Sequence, residues 1–73
     1  MMQDTVYLDG QKLKFYRVIK NETHRSLAEK SGVSTATIWK LENNPRNERF
    51  HPSTLNKLAR TLEIEPTDLI GGD

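Results

Sequence analysis

Seventy-three residues make one domain, near the lower limit at which a single apolar core holds a fold without staples. The absence of cysteine excludes disulfides, a thiolate zinc site and a thiol nucleophile. Net charge is only +1, yet all eleven Lys and Arg lie between Lys12 and Arg60 beside four acids, eleven less four leaving +7 there, and the other six acids flank that window.

In chain order, Val6-Tyr7-Leu8 is a short run of strand-type residues ahead of the Asp9-Gly10 turn signal. It reads as a frayed arm over residues 1–10, or as a strand in need of a partner, because so short a segment makes no stable sheet alone. Asp9 is placed to cap a first helix at about Gln11–Lys20, with Leu13, Tyr16 and the stem of Arg17 on one side. Phe15, Val18 and Ile19 point to the other side, a surplus apolar face and a natural dock for the arm of its own or another chain. Asn21 can take the left-handed conformation that closes a helix. Thr23 is the next N-cap, opening a helix from His24 to about Ser31 in which Leu27 and Ala28 face inward. Gly32 follows as C-cap, Val33 as an apolar plug and Ser34 as N-cap of a third helix reaching Asn43. A helix, a tight turn carrying Gly and a second helix make a helix-turn-helix layout.

On the third helix Ile38 and Leu41 form a narrow apolar stripe, while Ala36, Trp39, Lys40 and Asn43 fall on the opposite face. Taken alone the stretch is a half-exposed amphipathic helix. Asn44-Pro45 breaks it, and the loop to Pro52 carries Arg46, Asn47, Arg49, Phe50 and His51. Around Ser53 a fourth helix begins, with Leu55, Leu58, Ala59 and Leu62 as a clean stripe. Glu65-Pro66-Thr67-Asp68 is a further start signal, for a short helix anchored by Leu69 and Ile70 before Gly71-Gly72 releases a tail at 71–73. The expected fold is all-α: a compact bundle of five short helices over residues 11–70.

The ordered set Thr23-His24-Arg25-Ser26-Leu27-Ala28-Glu29-Lys30-Ser31-Gly32-Val33-Ser34, Thr37-Ile38-Trp39-Lys40-Leu41-Glu42-Asn43, Pro52-Ser53-Thr54-Leu55-Asn56-Lys57-Leu58-Ala59 and Ile64-Glu65-Pro66-Thr67-Asp68-Leu69 resembles the lambda repressor-like family of phage Cro and C1-type regulators, also called XRE-like. The resemblance implies a transcription regulator, in the first instance a repressor, whose third helix enters the major groove amino-end first. There each base pair shows its own pattern of donors, acceptors and methyl groups. Carried over by position, the base readers are Ser34, Thr35, Ala36 and Lys40, with Lys40 donating to a guanine and the Ala36 or Thr35 methyl touching a thymine. Thr35 reads equally as a simple helix-start residue. Phosphates fall to Thr23, His24 and Asn43, and Arg17 pairs with Glu42 across the first and third helices to orient the reading helix.

Some positions depart from the family pattern. His24 stands where Gln is usual, which leaves its phosphate contact open; protonation would strengthen such a hold. Asn44 stands where Gly is preferred, tolerable because Asn also visits positive φ. The loop to Pro52 is longer than usual, and its Arg46, Arg49 and His51 could follow the phosphate backbone, reach a minor groove or stay solvated. Trp39 faces outward, to pack on sugar-phosphate, to serve a protein contact or to lean on its own helix.

The expected partner is double-stranded DNA, bound as a homodimer that forms in solution or only on DNA. The alternative is an antitoxin-like or mobile-element accessory protein that uses the same fold for a protein partner. Without paired catalytic histidines, a phosphate loop or a metal-ligand cluster, no enzyme, cofactor, metal or small-molecule ligand is expected. No apolar run approaches the ~20 residues of a membrane span, and the amino terminus lacks a signal-peptide layout, so the expectation is cytoplasmic with no membrane partner.

Overall fold

The chain is organised as β1 Val6–Leu8, α1 Gly10–Ile19, α2 His24–Ser31, α3 Thr35–Glu42, α4 Pro52–Leu62, a 3-10 turn Pro66–Leu69 and β2 Ile70–Gly72 in a computed structural model that describes residues 6–72. Residues 1–5 of the expected arm and residue 73 of the expected tail lie outside the described residues.

Local capping explains the helix starts. The Asp9 side chain accepts the Gln11 N–H at 2.9 Å, so α1 begins one residue earlier than the periodicity predicts, at Gly10. Thr23 and Ser26 exchange bonds in a reciprocal capping box at the head of α2, and Ser34 accepts the Thr37 N–H at 3.1 Å at the head of α3. Pro52 opens α4 without a side-chain cap, its fixed φ suiting a first helical turn. Helix ends use the left-handed region at Asn21 (φ 60°) and Gly32 (φ 80°), as their residue types predict.

Glu63 also sits there, with φ 59°, closing α4 where a glycine would be unstrained. Glu63→Gly is expected to raise stability by up to about 1 kcal/mol, since relief of strain exceeds the added freedom of the unfolded chain. The readout is a higher urea midpoint. A lower one would mean that the 3.8 Å contact of Lys20 with the exposed Glu63 carboxylate outweighs the strain.

The fold departs from an all-α bundle of five helices in two linked ways. Pro66–Leu69 is a single 3-10 turn, closed when Asp68 accepts the Glu65 N–H at 3.0 Å, and is too short to continue as a helix. Beyond it the chain extends, and Gly71-Gly72 does not release it. β2 pairs antiparallel with β1, Val6 opposite Gly72, Tyr7 opposite Gly71 and Leu8 opposite Ile70. The Tyr7 ring lies close over Gly71, where a Cβ would sit 2.5 Å from its Cε1, so any larger residue there would have to displace the ring. The strand thus finds its partner at the far end of the same chain. Of the expected arm's described residues, Val6–Leu8 lie in this ribbon while Asp9 caps α1 and Gly10 opens it, and Phe15, Val18 and Ile19 remain exposed.

One core holds the elements together. Leu8, Leu13, Leu27, Val33, Ile38, Leu41, Leu55, Leu58, Ala59, Leu62 and Leu69 form a single buried cluster, with Tyr16, Ala28, Phe50, Ile64 and Ile70 packed against it. α2 and α3 pack on each other, α2 also on α4, and α1 on α3. The expected inward faces of the four helices are those that are buried.

Candidate nucleic-acid interface

The α2-turn-α3 unit is built from the N-caps and one glycine. The Gly32 N–H returns to the Ala28 carbonyl at 2.9 Å, its positive φ turns the chain, and Val33 is buried under the turn. Ser34, Thr35 and Ala36 are then exposed at the amino end of α3, with Trp39, Lys40 and Asn43 along the same outward side. Ile38 and Leu41 face the core. The Ser34 hydroxyl is largely committed, accepting from Thr37 N and donating to Thr37 Oγ1 at 2.9 Å. Asn43 ends the helix by donating its side-chain amide to the Trp39 carbonyl at 2.8 Å. Trp39 is 56% exposed.

Behind this face lies a buried charge cluster. Arg17 Nε donates to Glu42 Oε2 at 2.6 Å, Nη2 donates to Oε1 at 3.1 Å, and Nη1 donates to the Glu22 carbonyl at 2.9 Å. The Glu42 side chain is only 4% exposed. Its Oε1 also lies 3.0 Å from Nε2 of His24, the first residue of α2. One carboxylate at the last residue of α3 therefore ties that helix to α1 and to α2.

This geometry alters the chemistry open to His24. A carboxylate accepts, so the ring hydrogen sits on Nε2, and Nδ1 of the neutral ring is left as an acceptor. An acceptor offers nothing to a phosphate. Only a doubly protonated ring can serve Glu42 and donate to a phosphate together. Periodicity could not anticipate this, because α2 and α3 meet only in the folded chain.

Glu22 anchors the same corner. Lys30 Nζ donates to its Oε2 at 2.7 Å and the Ser26 hydroxyl to its Oε1 at 2.6 Å. The Lys30 bond first, and then the Ser26 bond, hold its carboxyl below the ordinary glutamate range, with slight burial opposing them. A depressed folded value means that this contribution is present above the unfolded value and is lost as pH falls through the folded one. Glu22→Gln is therefore expected to lower the melting temperature at neutral pH, with the difference from wild type closing below the carboxylate range. Circular-dichroism melts across that range check it; a gap independent of pH would contradict the electrostatic role.

The loop after α3 is fastened rather than free. Asn47 is buried, and its backbone bridges to Leu8 in both directions at 2.9 and 3.0 Å. Its side-chain amide lies within bonding distance of the carbonyls of Leu8, Leu41 and Asn44, at 3.0, 2.9 and 2.7 Å. Sequence reasoning set Asn47 among the decorating loop residues; a lone polar residue in a loop carries no periodic signal. Phe50, placed there too, is half-buried against the core. Asn44 does not use the positive φ its position suggested, and instead its side-chain oxygen accepts the Arg46 N–H at 3.1 Å. The Arg46 guanidinium lies 4.6 Å over the Tyr7 ring, and its Nε donates to Glu48 at 2.8 Å. Arg49 and His51 are exposed.

The fold and this surface can be compared with known proteins. Residues 10–72 match the family of helix-turn-helix domains. The chain belongs to that family, in its Cro/C1-type branch. A helix-turn-helix relative, the uncharacterized HTH-type transcriptional regulator RghRB of Bacillus subtilis strain 168, is 39% identical over 61 residues, which cover 84% of this chain and 43% of the relative. The chain thus spans less than half the length of that regulator. Among solved helix-turn-helix structures, the restriction-modification controller protein C.AhdI from Aeromonas hydrophila is 33% identical with a TM-score of 0.73, over 82% of this chain and 88% of that one. SinR, the master regulator for biofilm formation, solved in complex with DNA, is 30% identical with a TM-score of 0.76, over 82% and 94%. Among the described residues no group of three or more His, Cys, Asp or Glu could hold a metal ion, and no helix is long and apolar enough to cross a membrane.

Proposed function

We propose that this chain is a sequence-specific double-stranded DNA-binding repressor that reads the major groove with α3 and acts as a homodimer on a palindromic operator. The observation that carries the reading is a rigidly held α3: its amino end and outward side are exposed, while Glu42 fixes its carboxyl end to Arg17 and His24. The relation to SinR, a structure containing DNA, supports it. Thr35 and Ala36 offer few polar bonds, so specificity rests on Lys40, on methyl contacts and on DNA shape. Ser34 contributes through the helix end it caps. Thr23, Asn43, Arg46 and Arg49 hold phosphates, and His24 joins them when doubly protonated. One domain of this size is a small interface, and a dimer reading half-sites about one helical turn apart supplies the rest.

Selection of bound sites from a random duplex library tests the reading. Lys40→Ala is expected to cost about 1–3 kcal/mol at one position of each half-site and to relax the preference there. Uniform weakening at every sequence would make Lys40 a phosphate contact. Absent or salt-insensitive binding would overturn the DNA reading.

Trp39, more than half exposed on the outward side, favours a second role on the same fold: an antitoxin-like or accessory protein with a protein partner. SinR itself is also seen in complex with the SinI protein. If Trp39→Ala weakens DNA binding, the indole packs on sugar-phosphate and this second role loses its support; intact DNA affinity with an unchanged melting temperature leaves the protein contact.

A further inference from the structure

Phe15, Val18 and Ile19 on α1 are 58%, 52% and 52% exposed, a contiguous apolar face on a small domain. Phe15 is oriented, its ring edge-on to Tyr16 with centroids 5.3 Å apart and planes at 76°. β1, the described segment nearest in sequence, is committed to β2 and Asn47 and leaves this face uncovered. A groove along the face is lined by Gln11, Lys14, Phe15, Val18, Ile19 and Glu42.

α1 presents Lys12 and Lys14 and no acid of its own, and Lys20 follows at its carboxyl end. Lys14 lines the groove itself, while Lys12 Nζ donates to the Ile70 carbonyl at 3.1 Å and Lys20 lies 3.8 Å from the exposed Glu63 carboxylate, a weak surface contact. The other acids close by are engaged: Asp9 caps α1, Glu42 holds Arg17 and His24, and Glu22 holds Lys30 and Ser26. We propose that this face docks an acidic amphipathic helix from a partner protein. The apolar stripe of that helix would seat on Phe15, Val18 and Ile19, with carboxylates of its flanks meeting the lysines, the helix-in-groove mode of recognition. A second copy of this chain would bring the same lysines to the interface, and a nucleic acid has no use for its apolar centre, so an acidic helix is the complementary occupant.

The test is a phage-displayed library of random peptides about four helical turns long, panned on the full chain and counter-selected against a Phe15→Ala/Ile19→Ala variant. Circular dichroism establishes that the variant is folded. Enriched sequences are expected to repeat apolar residues at helical spacing and to carry excess Asp and Glu. Synthetic copies should bind wild type at least about tenfold more tightly than the variant, with Lys14→Glu also weakening them and added salt doing the same. Enrichment of basic or aperiodic peptides, or equal binding to the variant, overturns the proposal. So does concentration-dependent dimerisation of wild type that the double variant abolishes, which would make a second copy the occupant.

Discussion

Glu42→Ala is expected to lower folding free energy by about 3–5 kcal/mol, because it strands the Arg17 guanidinium in the interior without its counter-charge. Arg17 is buried and gives two of its three described bonds to Glu42. For a chain of this length the whole stability is roughly 4–11 kcal/mol, so the single replacement uses a large share of it. The pair need not be a net stabiliser, however. Both charges lose their hydration, and a paired apolar replacement of similar volume is often neutral or better. Arg17→Met/Glu42→Leu is therefore expected to recover most of the loss, as read by urea unfolding. The contact between His24 and Glu42 does not return with it, and α3 loses its polar tie to α2. On the proposed function, DNA affinity should stay reduced in the double variant although its stability is restored. Recovery of both together would make the cluster a stability element only.

This cluster marks where sequence reasoning stops. The faces of α1, α2 and α3 follow from periodicity, and Asp9, Thr23, Gly32 and Ser34 announce the boundaries because capping is a local interaction. The outward side of α3, with Ala36, Trp39 and Lys40, is likewise readable from the angle between successive residues. What those side chains are already bonded to is not. The Ser34 hydroxyl turns back to Thr37, the Asn43 amide to Trp39, and His24 to a carboxylate on another helix. The ribbon is harder still. Val6-Tyr7-Leu8 signals a strand but not its partner, Ile70-Gly71-Gly72 carries no strand signal at all, and each is ordered by the other across the length of the domain. Gly71, a residue type that usually frees a chain, here lies close beneath the Tyr7 ring. Asn47 shows the same limit, since its value lies in carbonyls from β1, α3 and the loop that converge only after folding.

Two of those carbonyls set the second large effect, at Gly10. A Cβ at that position would lie 2.0 Å from the Leu41 carbonyl oxygen and 2.5 Å from that of Asn44. Both obstacles are backbone, so neither can swing aside. They are also acceptors for the Asn47 amide, so the shift that admits a methyl group pulls at the knot joining β1 to the end of α3. Gly10→Ala is expected to destabilise by about 3 kcal/mol or more, at or beyond the top of the usual overpacking range, against less than ~1 kcal/mol gained from better helix propensity. Gly32 supplies the control. Nothing lies within 4 Å of its added Cβ, and its difficulty is the positive φ alone. Gly32→Ala should cost about 1–2 kcal/mol, and Gly32→Asn less, because Asn tolerates the left-handed region. At Gly10 asparagine should do no better than alanine, since the obstacle is space and not torsion. Urea midpoints of the four variants decide the matter. If Gly10→Ala proves milder than Gly32→Ala, the close approach of α1 to the end of α3 is not the constraint proposed.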